Sequence, residues 1–337
     1  MGARSNYQPN LVSQSANFLA TNKFYSGTGP NAGPLGYVAA SGGTTSTEGD
    51  YKYHKFTSPG TFVVTGGAGV RVDVMIVGGG GGGGYDKGGG GGAGAMVANV
   101  NPVASDPAVN GFAVALGTFP VTIGAGGPGS QSIPDRGTSG GNTTLAAPWM
   151  PVQQAAAGGG GGSDGNETGG GGGAGSSGGG GAPGDAGGSQ GPNPAPTIIF
   201  GSPGTTSPNV GGGGGGAGGT GNPTTSQIQG QQGKKLPWIP TNFGFPATNP
   251  STPATGGGYF AGGGPGGGGS KPAADLASIA GSGRGAYIAG SPLTPGNQAT
   301  AALANSGSGG AGGDGQPARY GSAGGSGIVI IRYEVES

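Results

Sequence analysis

His54 is the only histidine of the chain and cysteine is absent. Multi-histidine metal sites, thiolate sites, disulfides and cysteine nucleophiles are therefore excluded together. His54 stands between Lys52 and Lys55 in a stretch of strand-forming residues, where a structural or surface position is expected. Asp164, Glu167, Asp185 and Asp314 lie inside glycine tracts. A pair of carboxylates can hydrolyse a glycosidic bond, but acids isolated among glycines read as solvated turn residues. Asn142-Thr143-Thr144 and Asn166-Glu167-Thr168 match the glycosylation sequon, which carries weight only on a secretory route. G-x-G-x-x-G recurs along the chain, but with glycine at 93 of 337 positions it arises by chance and says nothing of dinucleotide binding. No G-x-x-x-x-G-K-[ST] occurs. The chain is expected to be no enzyme, with no catalytic residue, no cofactor and no metal.

Aromatic residues remain as the candidates for recognition. Leu236-Pro237-Trp238-Ile239-Pro240 is followed closely by Phe243 and Phe245. Trp149 and Tyr287 stand alone in two further glycine-poor inserts. Two readings fit these five. They cap the open end of a bundle formed by the glycine runs, or they form a contact surface for a host glycan or an outer-membrane protein, since rigid aromatics give large area at low entropy cost. Proline flanks pre-order such loops in either case.

The elements that must carry them are unusual. Glycine and proline number 93 and 28, and only 8% of residues are charged, with 13 basic and 13 acidic residues balancing. Large apolar side chains are too sparse to fill a conventional enzyme core along this length. The zero net charge leaves no basic stripe for nucleic acid. No apolar run approaches the roughly 20 residues that span a bilayer, so no membrane insertion is expected. The first ten residues are polar and show no signal-peptide pattern.

Composition alone fits a string of flexible linkers. The alternative is ordered glycine. Fixing a glycine backbone costs about 1–2 kcal/mol or more, with no side-chain burial in return. Hydrogen bonding between backbones is the available compensation. A polyproline-II strand has about three residues per turn and no internal hydrogen bonds, so its N–H and C=O groups point outward in three directions. Parallel stacks of such strands satisfy one another only where no Cβ intervenes. The runs Gly78 to Gly84, Gly158 to Gly162, Gly211 to Gly216 and Gly266 to Gly269 are unbroken and lack the collagen register. They predict a bundle of polyglycine-II helices surrounded on all sides.

Strand patterns flank these runs. Tyr51 to Phe56 and Thr61 to Thr65 flank Ser58-Pro59-Gly60, which reads as a hairpin. Val70, Val72, Val74 and Ile76 share a face at period two. Further strands are expected over Ala95 to Val100, Phe112 to Leu116 and Phe119 to Ile123. The terminal run from Ile328 to Val335 is expected beside residues 70–77. Residues 1–49 read as an extended N-terminal arm. Residues 50–337 read as one glycine-rich domain with inserts at about 143–156, 192–210, 222–255 and 271–305, expected to be the end loops of the bundle.

The ordered motifs carry a resemblance. F-T-S-P-G-T-F spans Phe56 to Phe62, V-D-V-M-I-V-G-G-G-G-G-G-G spans Val72 to Gly84, and G-G-G-G-G-A-G-A spans Gly88 to Ala95. V-T-I-G-A-G-G follows at Val121 to Gly127, and G-G-S-G-I-V-I-I-R-Y closes the set at Gly324 to Tyr333. Over residues 50–335 the chain resembles the glycine-rich domain of bacteriophage tail and fibre proteins. The resemblance implies an all-β fold: a β-sandwich abutting a polyglycine-II bundle, with the arm extended. A related architecture is known in the adhesins at the tips of T-even-type long tail fibres and in the ectodomain of anaplastic lymphoma kinase. The cysteine-free composition fits the phage setting. The implied role is a virion structural protein, a tail-fibre or tail-tip component presenting loops for host attachment and located on the tail rather than the head. The alternative is a head fibre or capsid decoration protein without a receptor role. Implied partners are other virion proteins through the arm, a host glycan or outer-membrane protein, and further copies of the chain.

Overall fold

A computed structural model describes residues 36–99, 111–132, 135–163, 171–190, 198–218, 229–245, 257–268, 281–283, 298–315 and 320–336. Among them there is no α-helix, and two antiparallel sheets face each other. The first sheet has the order β1 (Ala39–Ser41), β4 (Gly60–Gly66), β8 (Gly117–Thr122), β9 (Thr143–Leu145), β10 (Gln154–Ala155). The second runs β11 (Ile198–Phe200), β6 (Met96–Ala98), β5 (Arg71–Val77), β14 (Ile328–Glu334), β3 (Tyr51–Phe56), β2 (Thr44–Glu48). The short β7 (Phe112–Ala113) adds to the start of β5, and β12 (Lys234–Lys235) pairs with β13 (Tyr259–Phe260) in a separate ribbon.

The period-two pattern decides how the sheets face. Val72, Val74 and Ile76 of β5 and Val329, Ile331 and Tyr333 of β14 point inward against Phe62, Val64, Phe119, Val121 and Leu145 of the first sheet. Each such side chain withdrawn from water contributes about 1.5–3 kcal/mol. Met75, Val77, Ile328 and Ile330 alternate to the opposite face, yet they too are buried, under Leu236, Trp238, Ile239 and Phe260. A strand covered on both sides reads as a continuous apolar run, which is why β5 and β14 are the most hydrophobic stretches of the chain. The expected pairing of the terminal strand beside β5 is present, with Ile330 opposite Met75 and Ile331 opposite Val74.

Two expectations are corrected. Residues 51–56 and 60–66 do not form a hairpin. β3 pairs with β14 and β2, whereas β4 pairs with β1 and β8, so Ser58-Pro59-Gly60 carries the chain from one sheet to the other. Phe56 and Phe62 both enter the inter-sheet core, and a flat hairpin cannot bury both between two layers. Ala39–Ser41 and Thr44–Glu48, assigned to the arm, are strands of the two sheets. Residues 1–35 of the arm lie outside the described residues.

The glycine segments form the second layer of the architecture, and their hydrogen bonds repeat every third residue. Gly78, Gly81 and Gly84 donate to Ala95, Gly92 and Gly89. Gly79 and Gly82 donate to Gly141 and Thr138, and Gly80 and Gly83 donate to Gly325 and Ser322. The acceptor numbers fall as the donor numbers rise, so these three flanking segments run antiparallel to 78–84. The carbonyls of the same run accept from three others. Gly79 and Gly82 accept from Gly158 and Gly161, Gly80 and Gly83 from Gly127 and Ser130, and Gly81 and Gly84 from Gly310 and Gly313. Those numbers rise together, so these segments run parallel. This is the threefold, laterally bonded arrangement of polyglycine II, with 78–84 enclosed on every side. The returning segment 88–95 is enclosed in the same way, bonded to 307–313, 156–162, 212–215 and 264–267. The ordered-bundle reading holds over the described glycine runs and displaces the linker reading there.

Candidate functional site

The chain direction of each glycine segment gives the bundle two distinct ends. Segment 78–84 leaves β5 and 88–95 returns to β6; segment 124–130 leaves β8 and 137–142 returns to β9; segment 321–327 returns into β14. One end therefore meets the sandwich. The far end lies where outgoing segments give way to returning ones, and its described residues include 85–87, 131, 132, 135, 136, 314, 315 and 320.

The aromatic candidates lie at the sandwich end. Trp238 is 6% exposed and closes the outer face of the second sheet, with Phe243 and Phe245 packed at its margin. Its carbonyl accepts from the Tyr53 hydroxyl at 3.2 Å. The Arg332 guanidinium sits 4.1 Å from the Tyr51 ring centroid and 5.3 Å from that of Trp238. Arg332 is held by buried Asp73 at 2.8 and 2.9 Å, and Asn99 donates to the other oxygen of that carboxylate at 2.6 Å. Trp149 belongs to the other face, against Phe112 and Phe119 beside the inter-sheet core. The sheet thus separates Trp149 from Trp238, and no common surface joins them. Tyr287 lies outside the described residues. The insert aromatics cover apolar sheet rather than capping the glycine bundle, because a doubly apolar sheet needs a second cover while a bundle without side chains offers nothing apolar to cap.

The far end carries a different group of side chains. Tyr85, Asp86 and Lys87 turn the chain between the two enclosed glycine runs, and Asp86 and Lys87 hold left-handed backbone at φ 44° and 51°. The Tyr85 ring meets Tyr320 at 5.8 Å between centroids. Tyr320 is 57% exposed, high among the large hydrophobic side chains described. Both tyrosines are fastened. The Tyr85 N–H donates to Ser163 Oγ at 2.8 Å, the Gly321 N–H to the Ser130 carbonyl at 2.9 Å, and Gln131 Nε2 to the Gly321 carbonyl at 3.2 Å. Ser132 Oγ donates to Asp135 Oδ2 at 3.1 Å within the same turn. Exposed aromatic, amide, carboxylate and ammonium groups thus converge on a rigid end, a set suited to binding. The sequence signal was the Y-D-K break between two long glycine runs, which marks a tight turn.

Among the described residues no three His, Asp or Glu side chains are grouped closely enough to hold a metal ion. His54 is buried between the sheets, and its ring Nε2 accepts from the Tyr333 hydroxyl at 2.9 Å. Burial holds its pKa below the ordinary 6.5 against the raising effect of the Gly42 carbonyl, with Lys52 adding to the lowering, and burial pushes the Tyr333 phenol up to about 12. A depression of about 240 Å³ beside β2 and β3 is lined by Thr44, Lys55, Thr57, Ser58 and neighbouring backbone, and no acid–base pair converges in it.

A family model described as a glycine-rich domain matches residues 56–334. No curated protein and no solved structure matches the chain.

Proposed function

The chain belongs to the glycine-rich domain family, and from that premise we propose that it is a bacteriophage virion structural protein, a tail-fibre or tail-tip component for host-surface attachment. The observation that carries the reading is exposed Tyr320 packed on half-buried Tyr85 at the end of a bundle whose other end is built into the sandwich. The mechanism is presentation, without a reaction. Lateral backbone bonding makes the rod rigid, so far-end turns can vary while the scaffold stays the same. The ligand is a host glycan or an outer-membrane protein met by the far-end turns. The N-terminal segment docks to a neighbouring virion protein, and several copies act together on one particle. The resemblance of the ordered motifs to those of phage tail and fibre proteins supports the setting.

Two measurements test it. Purified full-length protein is expected to compete with phage for adsorption to host cells, and a labelled copy is expected on the tail in images of the particle. A Tyr85→Ala/Tyr320→Ala double variant is expected to lose competition at unchanged melting temperature. A label confined to the head, or a double variant that competes as well as the parent, refutes attachment through this end.

A further inference from the structure

We propose that His54 is a pH-operated latch that holds β1 and β2 across the edge of the sandwich, and that its protonation releases them. The two strands are one short segment divided between the sheets. β1 pairs with β4 of the first sheet and β2 with β3 of the second, so residues 39–48 bridge the two layers. Little apolar burial retains them, because every residue of β2 is exposed and β1 has only three residues. The turn between them is tucked in closely: a Cβ on Gly43, whose φ is +63°, would lie 2.8 Å from the Lys55 carbonyl oxygen.

His54 fastens this turn from inside. Its Nδ1 lies 2.7 Å from the Gly42 carbonyl oxygen. A carbonyl only accepts, so Nδ1 carries the hydrogen and Nε2 accepts from the Tyr333 hydroxyl at 2.9 Å. The Ala40 main chain also hydrogen-bonds that hydroxyl. The imidazole and phenol together thus bind β1 and the turn after it to β3 and β14. The neutral ring satisfies every bond in the chain. An imidazolium places a second N–H against the phenol O–H, so one donor must lose its partner.

Among the described residues no countercharge waits for the imidazolium. By strand alternation Lys52 shares the His54 face of β3, and Tyr333 shares it on β14. Lys55, Arg332 and Glu334 alternate to the other face, as does Glu48 opposite Tyr51. β1 and β4 carry no titratable residue. The nearest ring besides Tyr333 is Phe62, edge-on at 5.3 Å. Burial, the largest cause, disfavours the charged form; the bond to the Gly42 carbonyl favours it and Lys52 disfavours it, and the lowering wins. The folded state thus binds the proton less well than the unfolded chain. The latch holds fully above the ordinary value of 6.5 and weakens as pH falls below it toward the lower folded value. The cheapest way to hydrate the charge is to lift the weakly buried segment 39–48, which uncovers the outer edges of β3 and β4.

The whole chain has one histidine and no cysteine, so no other side chain ordinarily titrates between pH 5 and 8. Hydrogen exchange of the full-length protein, read by mass spectrometry at pH 7.5 and 5.5 and corrected for intrinsic rates, tests the latch. Protection of residues 39–48 is expected to fall by up to about tenfold, the effect of one unit of differential protonation, while β5 and β14 stay protected. In His54→Gln the two pH values are expected to give equal protection. No change in the parent, an equal loss in β5 and β14, or the same response in His54→Gln overturns the latch. If that variant does not fold, the ring signals of the single histidine followed by NMR decide. A titration midpoint below 6.5 that coincides with the loss of protection supports the latch, and one that does not coincide overturns it.

Discussion

A glycine in this molecule is a statement about what stands opposite it. At Gly82 an added Cβ would overlap the Pro128 carbonyl, a backbone group of a neighbouring segment that cannot turn aside. At Gly171 the nearest atom to an added Cβ is the Ala186 carbonyl oxygen at 3.7 Å, ordinary contact. Gly82→Ala is therefore expected to lose at least about 3 kcal/mol, at the upper end of the overpacking range because backbone rather than side chain must move. Gly171→Ala is expected within about 0.5 kcal/mol of the parent. Urea midpoints of both variants check this, and equal midpoints would remove the case for a close-packed run. Tyr333 gives a second residue-level expectation. Its phenol is pushed from 10.0 up to about 12 by burial, so the folded state binds its proton more tightly than the unfolded chain. The stability it contributes is present below pH 10 and is lost as pH rises toward 12. Tyr333→Phe is expected to flatten part of the alkaline fall in melting temperature.

Among the elements, the insert 236–245 shows how one sequence pattern serves two readings. Trp238 closes the outer face of the second sheet over Met75, Ile328 and Ile330, and with Tyr51 it sandwiches the buried Arg332. Trp238→Ala is expected to cost about 3–5 kcal/mol as a large-to-small core change, measured as a fall in the denaturation midpoint. Arg332→Ala is expected to cost a similar amount, because Asp73 is then left charged and buried without its partner. Neither change is expected to act on host contact except through the fold. The glycine runs were legible as polyglycine II because their periodicity needs only backbone geometry. The face of β5 was legible from Val72, Val74 and Ile76, and the position of β14 from its apolar content. The cover supplied by Trp238 was not legible, since an exposed anchor and a buried lid share the same aromatic and proline composition. The split of β3 and β4 between sheets was hidden by Ser58-Pro59-Gly60, which serves a crossing as well as a hairpin. The far-end pair was missed because Tyr85 and Tyr320 stand 235 positions apart and meet only when the outgoing and returning segments are stacked.

At the scale of the molecule, order depends on the C-terminal segment meeting early glycine. Gly80 and Gly83 donate to Gly325 and Ser322, and β14 fills the place between β5 and β3. The segment 320–334 therefore completes both the bundle and the second sheet, and neither layer closes without it. Truncation before residue 320 leaves Gly80 and Gly83 with unpaired buried N–H groups, each costing about 1–3 kcal/mol. It also opens the sheet along two strands and exposes Val72, Val74 and Ile76. The sum exceeds the 5–15 kcal/mol that holds a typical domain, so chain 1–319 is expected to show no cooperative thermal transition. A separately supplied peptide covering 320–337 is expected to restore one, because its backbone bonds and the apolar faces of β14 are what the truncated chain lacks. Recovery of slow hydrogen exchange at Gly79 to Gly83 on adding that peptide would tie the rescue to the bundle. A truncated chain that melts cooperatively by itself would mean that the enclosing hydrogen bonds of 78–84 are not what orders its glycine.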